Sequence, residues 1–169
     1  EQYYFKNAWT RQRKALDKKE KEIYTRDCGM KIDLLNLNWI YRAKKYYHML
    51  PPDIYLMTIP IHYRIKVDEF KALVEAPTVD QFMQLLANTY YENRFHAMQR
   101  SEGMEQFYKA CIHGMYLSDR RRNPYSLATV NTYLFLKEEE INRLTTALEC
   151  IRYGLTPRET LGYIGGAKK

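Results

Sequence analysis

The chain has 169 residues, 46% of them apolar, which is enough for one packed domain or for two small ones that share a core. Its net charge of +7 favours an anionic partner, whether nucleic acid, anionic lipid or an acidic protein. No apolar run reaches the roughly 20 residues that a membrane span requires, and three widely spaced cysteines without a C-x-x-C pair argue against disulfides and zinc and fit a reducing compartment.

Helix is the predicted state of most of the chain, because glycine and proline are scarce whereas Leu, Ala, Glu, Lys, Arg and Met are common. We therefore predict an all-α fold, a bundle-like assembly of several helices. The chain begins at Glu1, in sequence that already predicts helix, so we expect a fragment of a longer protein. Our expectation for domains is a single all-helical region over residues 1–169, with approximate units at 1–50 and 51–169.

The first two segments differ in polarity. Residues 1–27 are rich in charge and predict a long, largely exposed helix that Gly29 interrupts. Residues 31–47 have almost no polar face, which predicts a buried helix. Polar exceptions inside this second segment need hydrogen-bond partners if they are buried, and they include Asp33, Asn36 and Arg42.

Shorter elements follow in the middle of the chain. Residues 60–67 partly alternate between apolar and polar, but a single strand would have no partner, so we predict a connector. Two helices separated by Pro77 come next, over residues 68–76 and 79–91, and Thr78 is the predicted N-cap of the second.

The longest predicted helix lies near the C-terminus. Residues 92–117 predict a helix with a broken apolar stripe, and Arg120-Arg121-Arg122 marks the turn after it. Residues 123–155 then predict a long helix, with Asn123 as its N-cap and Gly154 as its stop. Its apolar positions alternate in steps of three and four and form an a/d seam: Leu127, Val130, Leu134, Ile141, Leu144, Leu148, Ile151 and Leu155. We expect the rest of the chain to pack around this helix, because it cannot bury its seam alone.

No motif in the sequence supports a catalytic function. There is no G-x-S-x-G, no H-E-x-x-H and no glycine-rich phosphate loop. Cys111 and His113 form the only close Cys/His pair, whereas a zinc site needs four ligands at characteristic spacings. An unrecognised enzyme is one alternative, and a deep pocket that holds an ionisable residue with a perturbed pKa would favour it.

A basic helical nucleic-acid-binding module is the second alternative. The basic runs at 18–21 and 120–122 have aromatic residues nearby, and phosphate contacts with base stacking hold single strands. No recognised nucleic-acid motif accompanies these runs, and acidic residues interrupt the first of them. Binding to DNA or RNA that weakens steeply with salt would favour this alternative.

Polar residues inside the apolar helices predict clamps between helices. Asp33, Asn36 and Arg42 lie in one predicted helix, and Glu140 and Arg143 lie in the other. Our hypothesis is that these five side chains fix the register of the packed helices more than they add stability.

Three stretches of the chain carry a resemblance to a known family: KIDLLNLNWIYRAKKYY, ALVEAPTVDQFMQLLANTYY and YLFLKEEEINRLTTALECIRYGL. From about residue 31 onward the chain resembles the C-terminal portion of the C-type subunit family of V-type ATPases and ATP synthases, whose eukaryotic members are designated d. The third stretch is similar to the family's C-terminal signature through Glu140, Leu144, Glu149 and Arg152. It departs at Arg143, where the family usually has Asn, so that a neutral clamp becomes a charged one.

The resemblance implies an all-helical, funnel-shaped subunit built from related helical units. It implies a peripheral subunit on the cytoplasmic face of the membrane, with no transmembrane segment. Such a subunit links the proteolipid ring to the central stalk. It transmits torque between proton or sodium transport in the ring and ATP synthesis or hydrolysis in the catalytic head. The resemblance also implies no active site, no cofactor, no small-molecule substrate and no nucleic-acid partner. For such a subunit, the candidate contacts with acidic groups of its partners are Arg120, Arg121 and Arg122.

Overall fold

The computed structural model of the chain describes residues 2–92 and 103–165, and these ranges form eight α-helices and no strand. The prediction of an all-α fold is therefore confirmed. None of these helices combines the length and the apolar character needed to cross a membrane. In chain order the helices are α1 (Gln2–Ala15), α2 (Lys18–Tyr46), α3 (Pro51–Met57), α4 (Val67–Glu75), α5 (Val79–Leu86), α6 (Met104–Arg122), α7 (Leu127–Arg152) and α8 (Pro157–Tyr163).

Helix α2 is the element around which most of the other described helices pack. It contacts α1, α3, α5, α6 and α7. Its completely buried side chains include Ile32, Leu34, Leu37 and Ile40. The prediction of a helix at residues 31–47 is confirmed as far as Tyr46, but its side chains are buried or half-buried only as far as Lys44, with Arg42 as an exception, since Lys45 and Tyr46 are exposed. The prediction that Gly29 interrupts the preceding helix is wrong, because the break lies at Asp17, whose carboxylate accepts a hydrogen bond from the Glu20 N–H at 2.9 Å and caps a new helix.

Position 29 of α2 has no room for a Cβ atom, because a neighbouring side chain occupies that space. A Cβ built at Gly29 would lie 2.5 Å from Cγ of Tyr63 and 2.8 Å from its Cβ. The Cβ of Tyr63 is bonded directly to the backbone, so that a change of rotamer moves its Cγ but leaves its Cβ in place. The connector that carries Tyr63 therefore approaches α2 closely at this glycine.

Replacing Gly29 by alanine is expected to destabilise the protein by about 1–2 kcal/mol, because the overpacking cost exceeds the gain in helix propensity. Chemical denaturation measures the difference. Gly114 is the matched control, since it also lies in a helix and nothing stands within 4 Å of its added Cβ. Gly114→Ala should stabilise by roughly 0.5–1 kcal/mol. A second change, Tyr63→Gly, should remove most of the cost of the first, and strictly additive effects would contradict the steric explanation.

The segment between α3 and α4 forms no strand, in agreement with the predicted connector. The two short helices after it also agree with the prediction, and Thr78 Oγ1 accepts a hydrogen bond from the Gln81 N–H at 3.2 Å as the N-cap of α5. Helix α5 ends at Leu86, earlier than predicted, because the chain turns there and the Thr89 N–H bonds to the Leu86 carbonyl. Of the predicted helix at 92–117, residues 93–102 lie outside the described ranges.

Helix α7 begins later than predicted. Ser126, not Asn123, is its N-cap, because the Ser126 hydroxyl accepts from the Ala128 N–H at 3.2 Å. Asn123 instead ends α6, where its N–H bonds to the Asp119 carbonyl. At the other end, Gly154 adopts a φ of +74°, in agreement with its predicted role as the helix stop.

The expectation that α7 organises the fold is wrong. On α7 only Ala128, Thr132 and Cys150 are buried. The first turns are anchored to other helices: the Glu20 carboxylate accepts from the Leu127 N–H at 2.9 Å, and the Thr132 hydroxyl donates to the Tyr116 carbonyl at 2.9 Å. Beyond these anchors, the predicted seam lies on the surface. Its period correctly predicts a helix with one apolar face, but a period does not say whether the same chain covers that face.

Candidate interaction surface

Asp33 fixes the connector after α3 to the middle of α2. Its carboxylate accepts hydrogen bonds from the backbone N–H groups of Tyr63 at 3.0 Å, Arg64 at 2.7 Å and Ile65 at 3.3 Å. The Tyr91 hydroxyl donates a fourth bond at 3.3 Å. Burial raises the pKa of Asp33, and the hydrogen bonds offset this rise only in part. One carboxylate thereby satisfies three backbone donors of a segment that has no regular structure.

Asn36 lies one turn further along the same face of α2 and binds the backbone of Ile59. Its Nδ2 donates to the Ile59 carbonyl at 2.9 Å, and its Oδ1 accepts from the Ile59 N–H at 2.8 Å. The amide therefore pairs with one residue of the connector as a neighbouring β-strand would. Asp33 and Asn36 together connect α2 to the connector and not to another helix, which is a different arrangement from the predicted clamps between helices.

A junction of three helices holds two buried carboxyl groups. Asp27 of α2 and Asp119 of α6 are both almost completely buried. Nε of Arg26 lies 2.7 Å from Asp119 and 3.8 Å from Asp27, and Asn131 of α7 donates to Asp27 at 3.3 Å. Burial, with the adjacent Asp119 carboxyl as the second cause, raises the pKa of Asp27 to about 8. The junction thus joins α2, α6 and α7 through the protonated carboxyl group of Asp27, the guanidinium group of Arg26 and the side-chain amide of Asn131.

Asp27 also lines a groove of about 370 Å³ between α1 and α7, which bears on the alternative of an enzyme. The groove walls are largely aromatic and include Phe5, Tyr24, Tyr116 and Phe135. No group of three or more His, Cys, Asp or Glu residues within the described ranges could hold a metal ion. The raised pKa of Asp27 has a structural cause in the helix junction, so it does not by itself favour catalysis.

Lys44 is a further polar connection that the sequence analysis did not identify. Its ammonium donates to the carbonyls of Val74 and Ala76, each at 2.6 Å, and so binds the C-terminal end of α4 to α2. Burial lowers its pKa. A lysine in the last turn of a helix gives no sequence signal of such a role, because its nearer carbonyl partner lies 30 residues away along the chain. The Arg26–Asp119 pair was missed for the same reason.

The other predicted clamp residues lie on the surface. Arg42 is exposed on α2. Glu140 accepts from Lys137 at 2.7 Å, and Arg143 lies 3.8 Å from Glu139, so both form ion pairs within α7. Exposed pairs of this kind contribute little to stability. In this structure, Arg42, Glu140 and Arg143 therefore connect no two helices of the described ranges.

The run Arg120-Arg121-Arg122 is exposed in the last turn of α6. No carboxylate of the described ranges lies within ion-pair distance of these three side chains. Positive side chains in the last turn of a helix interact favourably with the partial negative charge at its C-terminal end, so the run also has a structural reason. The three guanidinium groups are nevertheless available to an acidic partner.

A family model described as ATP synthase (C/AC39) subunit matches residues 1–163. Neither a curated protein nor a solved structure matches the chain.

Proposed function

Because the chain belongs to the ATP synthase (C/AC39) subunit family, and is thereby a component of a rotary ATPase, we propose that it links the central stalk to the membrane proteolipid ring. In this function it is non-catalytic, and it transmits torque during proton or sodium transport. The family match confirms the resemblance seen in the sequence and extends it to the first 30 residues, which the resemblance did not include.

The observation that carries this proposal is the family match over residues 1–163. The fold supports it in physical terms, because torque transfer requires a body that does not yield between its contacts. Helix α2 is joined to the connector by Asp33 and Asn36, to α4 by Lys44 and to α6 by the Arg26–Asp119 pair. These connections use buried or half-buried polar groups, which have defined geometry and resist sliding of one element along another.

The position of the subunit is part of the same proposal. We infer a peripheral site on the cytoplasmic face of the membrane, between ring and stalk, because this is where the family's subunit would have to lie in order to join them. The many exposed tyrosines suit such a position, because tyrosine offers an apolar ring and a polar tip to neighbouring subunits: Tyr3, Tyr4, Tyr46, Tyr47, Tyr125, Tyr133, Tyr153 and Tyr163 are each more than half exposed.

Co-purification tests the proposed function. A tagged copy of the chain, expressed in cells that contain a rotary ATPase of this type, should bring down the proteolipid and the central-stalk subunits after mild detergent extraction. The complex should lose coupled ion transport, but not ATP hydrolysis by the isolated head, when the chain is absent. Recovery of the chain with neither ring nor stalk would contradict the proposal, and recovery with nucleic acid in a salt-sensitive manner would favour the alternative.

Reversing the charge of Arg120, Arg121 and Arg122 to glutamate should weaken binding to ring or stalk by about tenfold or more, because acidic partner groups would then meet three negative charges in place of three positive ones. Binding is measured by pull-down with purified ring and stalk. Because acidic residues oppose the dipole at a helix C-terminus, the triple glutamine variant provides a second test without that cost. An equal reversal at Lys18, Lys19 and Lys21 is the control. Unchanged affinity of both arginine variants would exclude the run as a contact site.

A further inference from the structure

The two carboxyl groups at the junction of α2, α6 and α7 are a feature that the proposed function does not explain. Asp27 and Asp119 are each at most 3% exposed, and the side chain of Asp27 hydrogen-bonds to that of Asp119. Two carboxyl groups that touch each other away from water cannot both carry a charge at low cost, so they retain one proton between them. This proton is therefore part of the contact between α2 and α6.

Among the described residues, one cation faces the pair. Nε of Arg26 lies 2.7 Å from Asp119 and 3.8 Å from Asp27, and no other ion pair to either carboxyl group forms within the described ranges. One guanidinium group balances one carboxylate, so ionisation of the second carboxyl group leaves a buried negative charge without a counter-ion. Such a charge is costly away from water, so the ionised junction has to admit water.

The other polar and titratable groups around Asp27 do not supply that counter-ion within the described part of the chain. Helix α7 faces it with Asn131, whose side-chain amide donates to Oδ2 of Asp27 at 3.3 Å. Lys31, one turn along α2, lines the same groove as Asp27 but forms no ion pair with it. The remaining groups are neutral at neutral pH or acidic, and they come from all the surrounding helices: Tyr4 of α1, Tyr24 and Cys28 of α2, Tyr116 of α6 and Glu138 of α7.

The groove between α1 and α7 gives water a route to the pair. Asp27 and Asn131 both line this groove. Oδ1 of Asp27 and Nη2 of Arg26 are buried and have no hydrogen-bond partner within the described ranges, so a water molecule that enters the junction meets both an acceptor and a donor. Solvation of the ionised pair therefore requires the helices that close the groove to move apart.

Helix α7 can respond to this opening as a lever. Its buried residues are Ala128 and Thr132 near its start and Cys150 near its end, so most of its length beyond the junction is free of the core. From Thr132 to Arg152 the helix extends by about 30 Å at roughly 1.5 Å per residue, and a rotation of about 10° at the junction would move its end by about 5 Å. A small opening at the base of α7 thus becomes a larger displacement of its tip.

We propose that the Asp27–Asp119 pair is a pH-sensitive lock of α7, which holds the junction closed while the pair shares a proton and opens the groove, with a change in the angle of α7, when both carboxyl groups are ionised. Burial and the adjacent Asp119 carboxyl group raise the pKa of Asp27 to about 8, so the lock is closed at neutral pH and opens in alkaline solution. The inference goes beyond the proposed function and is independent of it, because it concerns the chain without ring or stalk.

Distances between spin labels on the full 169-residue chain test the proposal. Labels carried by noncanonical amino acids at the exposed positions Lys109 of α6 and Thr145 of α7 leave the natural cysteines in place. Between about pH 6 and about pH 9 their distance should change by about 3–5 Å, as a rotation of this size requires. A reference pair of labels at Lys71 of α4 and Lys109 should keep its distance. No change in the first pair, or an equal change in both, would overturn the proposal.

Two single variants decide whether the carboxyl pair is the lock. Asp27→Asn and Asp119→Asn each leave one carboxylate beside Arg26 and one amide that donates in place of the proton, so each variant should keep the closed distance at both pH values. Glu20→Gln is the matched control, because it removes another carboxylate at the base of α7, one that accepts from the Leu127 N–H at 2.9 Å, and glutamine still accepts that bond. This control should retain the change with pH.

The variants also give the results that would overturn the proposal. A change with pH that persists in either asparagine variant, or one that is lost in Glu20→Gln, would assign the response to other groups than the carboxyl pair. Circular dichroism at both pH values confirms that each variant keeps its helix content, so that a missing change cannot come from unfolding.

Discussion

Replacing Asp33 by alanine is expected to lower the free energy of unfolding by roughly 3–5 kcal/mol, because the change removes the acceptor of several buried or half-buried donors at once. Three of these are the backbone N–H groups of Tyr63, Arg64 and Ile65, and the fourth is the Tyr91 hydroxyl. Asparagine should recover only part of the loss, since its NH₂ group would face donors. Denaturant unfolding followed by circular dichroism measures the change.

A local measurement separates this explanation from general loss of packing. In the Asp33 variants, amide hydrogen exchange should accelerate more at Tyr63, Arg64 and Ile65 than in α6. Asp53→Ala is the control, because Asp53 is an exposed carboxylate in the first turn of α3 and its loss should cost less than about 1 kcal/mol. If Asp33→Ala costs no more than this control, Asp33 does not hold the connector.

Replacing Asp27 by asparagine is expected to remove a large pH dependence of stability. The pKa of Asp27 is raised from 3.8 to about 8 in the folded protein, so the folded state holds a proton that the unfolded state releases. The stabilisation from this proton is fully present below pH 3.8 and is lost as the pH rises towards 8. Since one pKa unit corresponds to ~1.4 kcal/mol, and Asp27 shares its environment with Asp119 and Arg26, we expect a loss of roughly 2–4 kcal/mol across this range.

The Asp27→Asn variant and the natural chain should therefore differ most at the alkaline end of the range. The asparagine side chain keeps the shape of the carboxyl group and needs no proton, so at about pH 9 the variant should be the more stable of the two, whereas at about pH 4 the two should be nearly equal. Thermal unfolding at a series of pH values measures the difference. Asp80→Asn, at an exposed position of α5, should leave the slope unchanged. A slope that persists in Asp27→Asn would show that other groups cause it.

The local structure of the chain could be predicted from its sequence to a large extent. Apolar content on all sides of residues 31–47 identified a buried helix, and a Thr before an amphipathic run identified the start of α5. Such signals succeed because helix formation and capping depend on residues within a few positions of one another, and because a helix that is apolar on all sides has no face suited to water. Asp33 and Asn36 could be recognised as unusual for the same reason, since polar side chains in an apolar segment require partners.

The partners themselves could not be predicted. Asn36 binds Ile59 across 23 positions, and Arg26 binds Asp119 across 93, and no local pattern encodes such distances. The same limit explains the error on α7. Its heptad period is as regular as that of a core helix, but the described helices cover little beyond its first turns, so that periodicity predicted an apolar face and not its burial.

The way in which α2 holds the connector has a consequence for how this protein can change in evolution. Asp33 and Asn36 bind main-chain atoms of residues 59–65, which every amino acid except proline provides in the same form. The polar part of this hold therefore depends on two side chains of the helix, whereas the buried side chains of Ile59, Ile61 and Ile65 must still fit the core. Drift should be free at exposed connector positions such as Arg64, while a single codon change at position 33 would release the main chain of residues 63–65 and leave only Ile59 bound through Asn36.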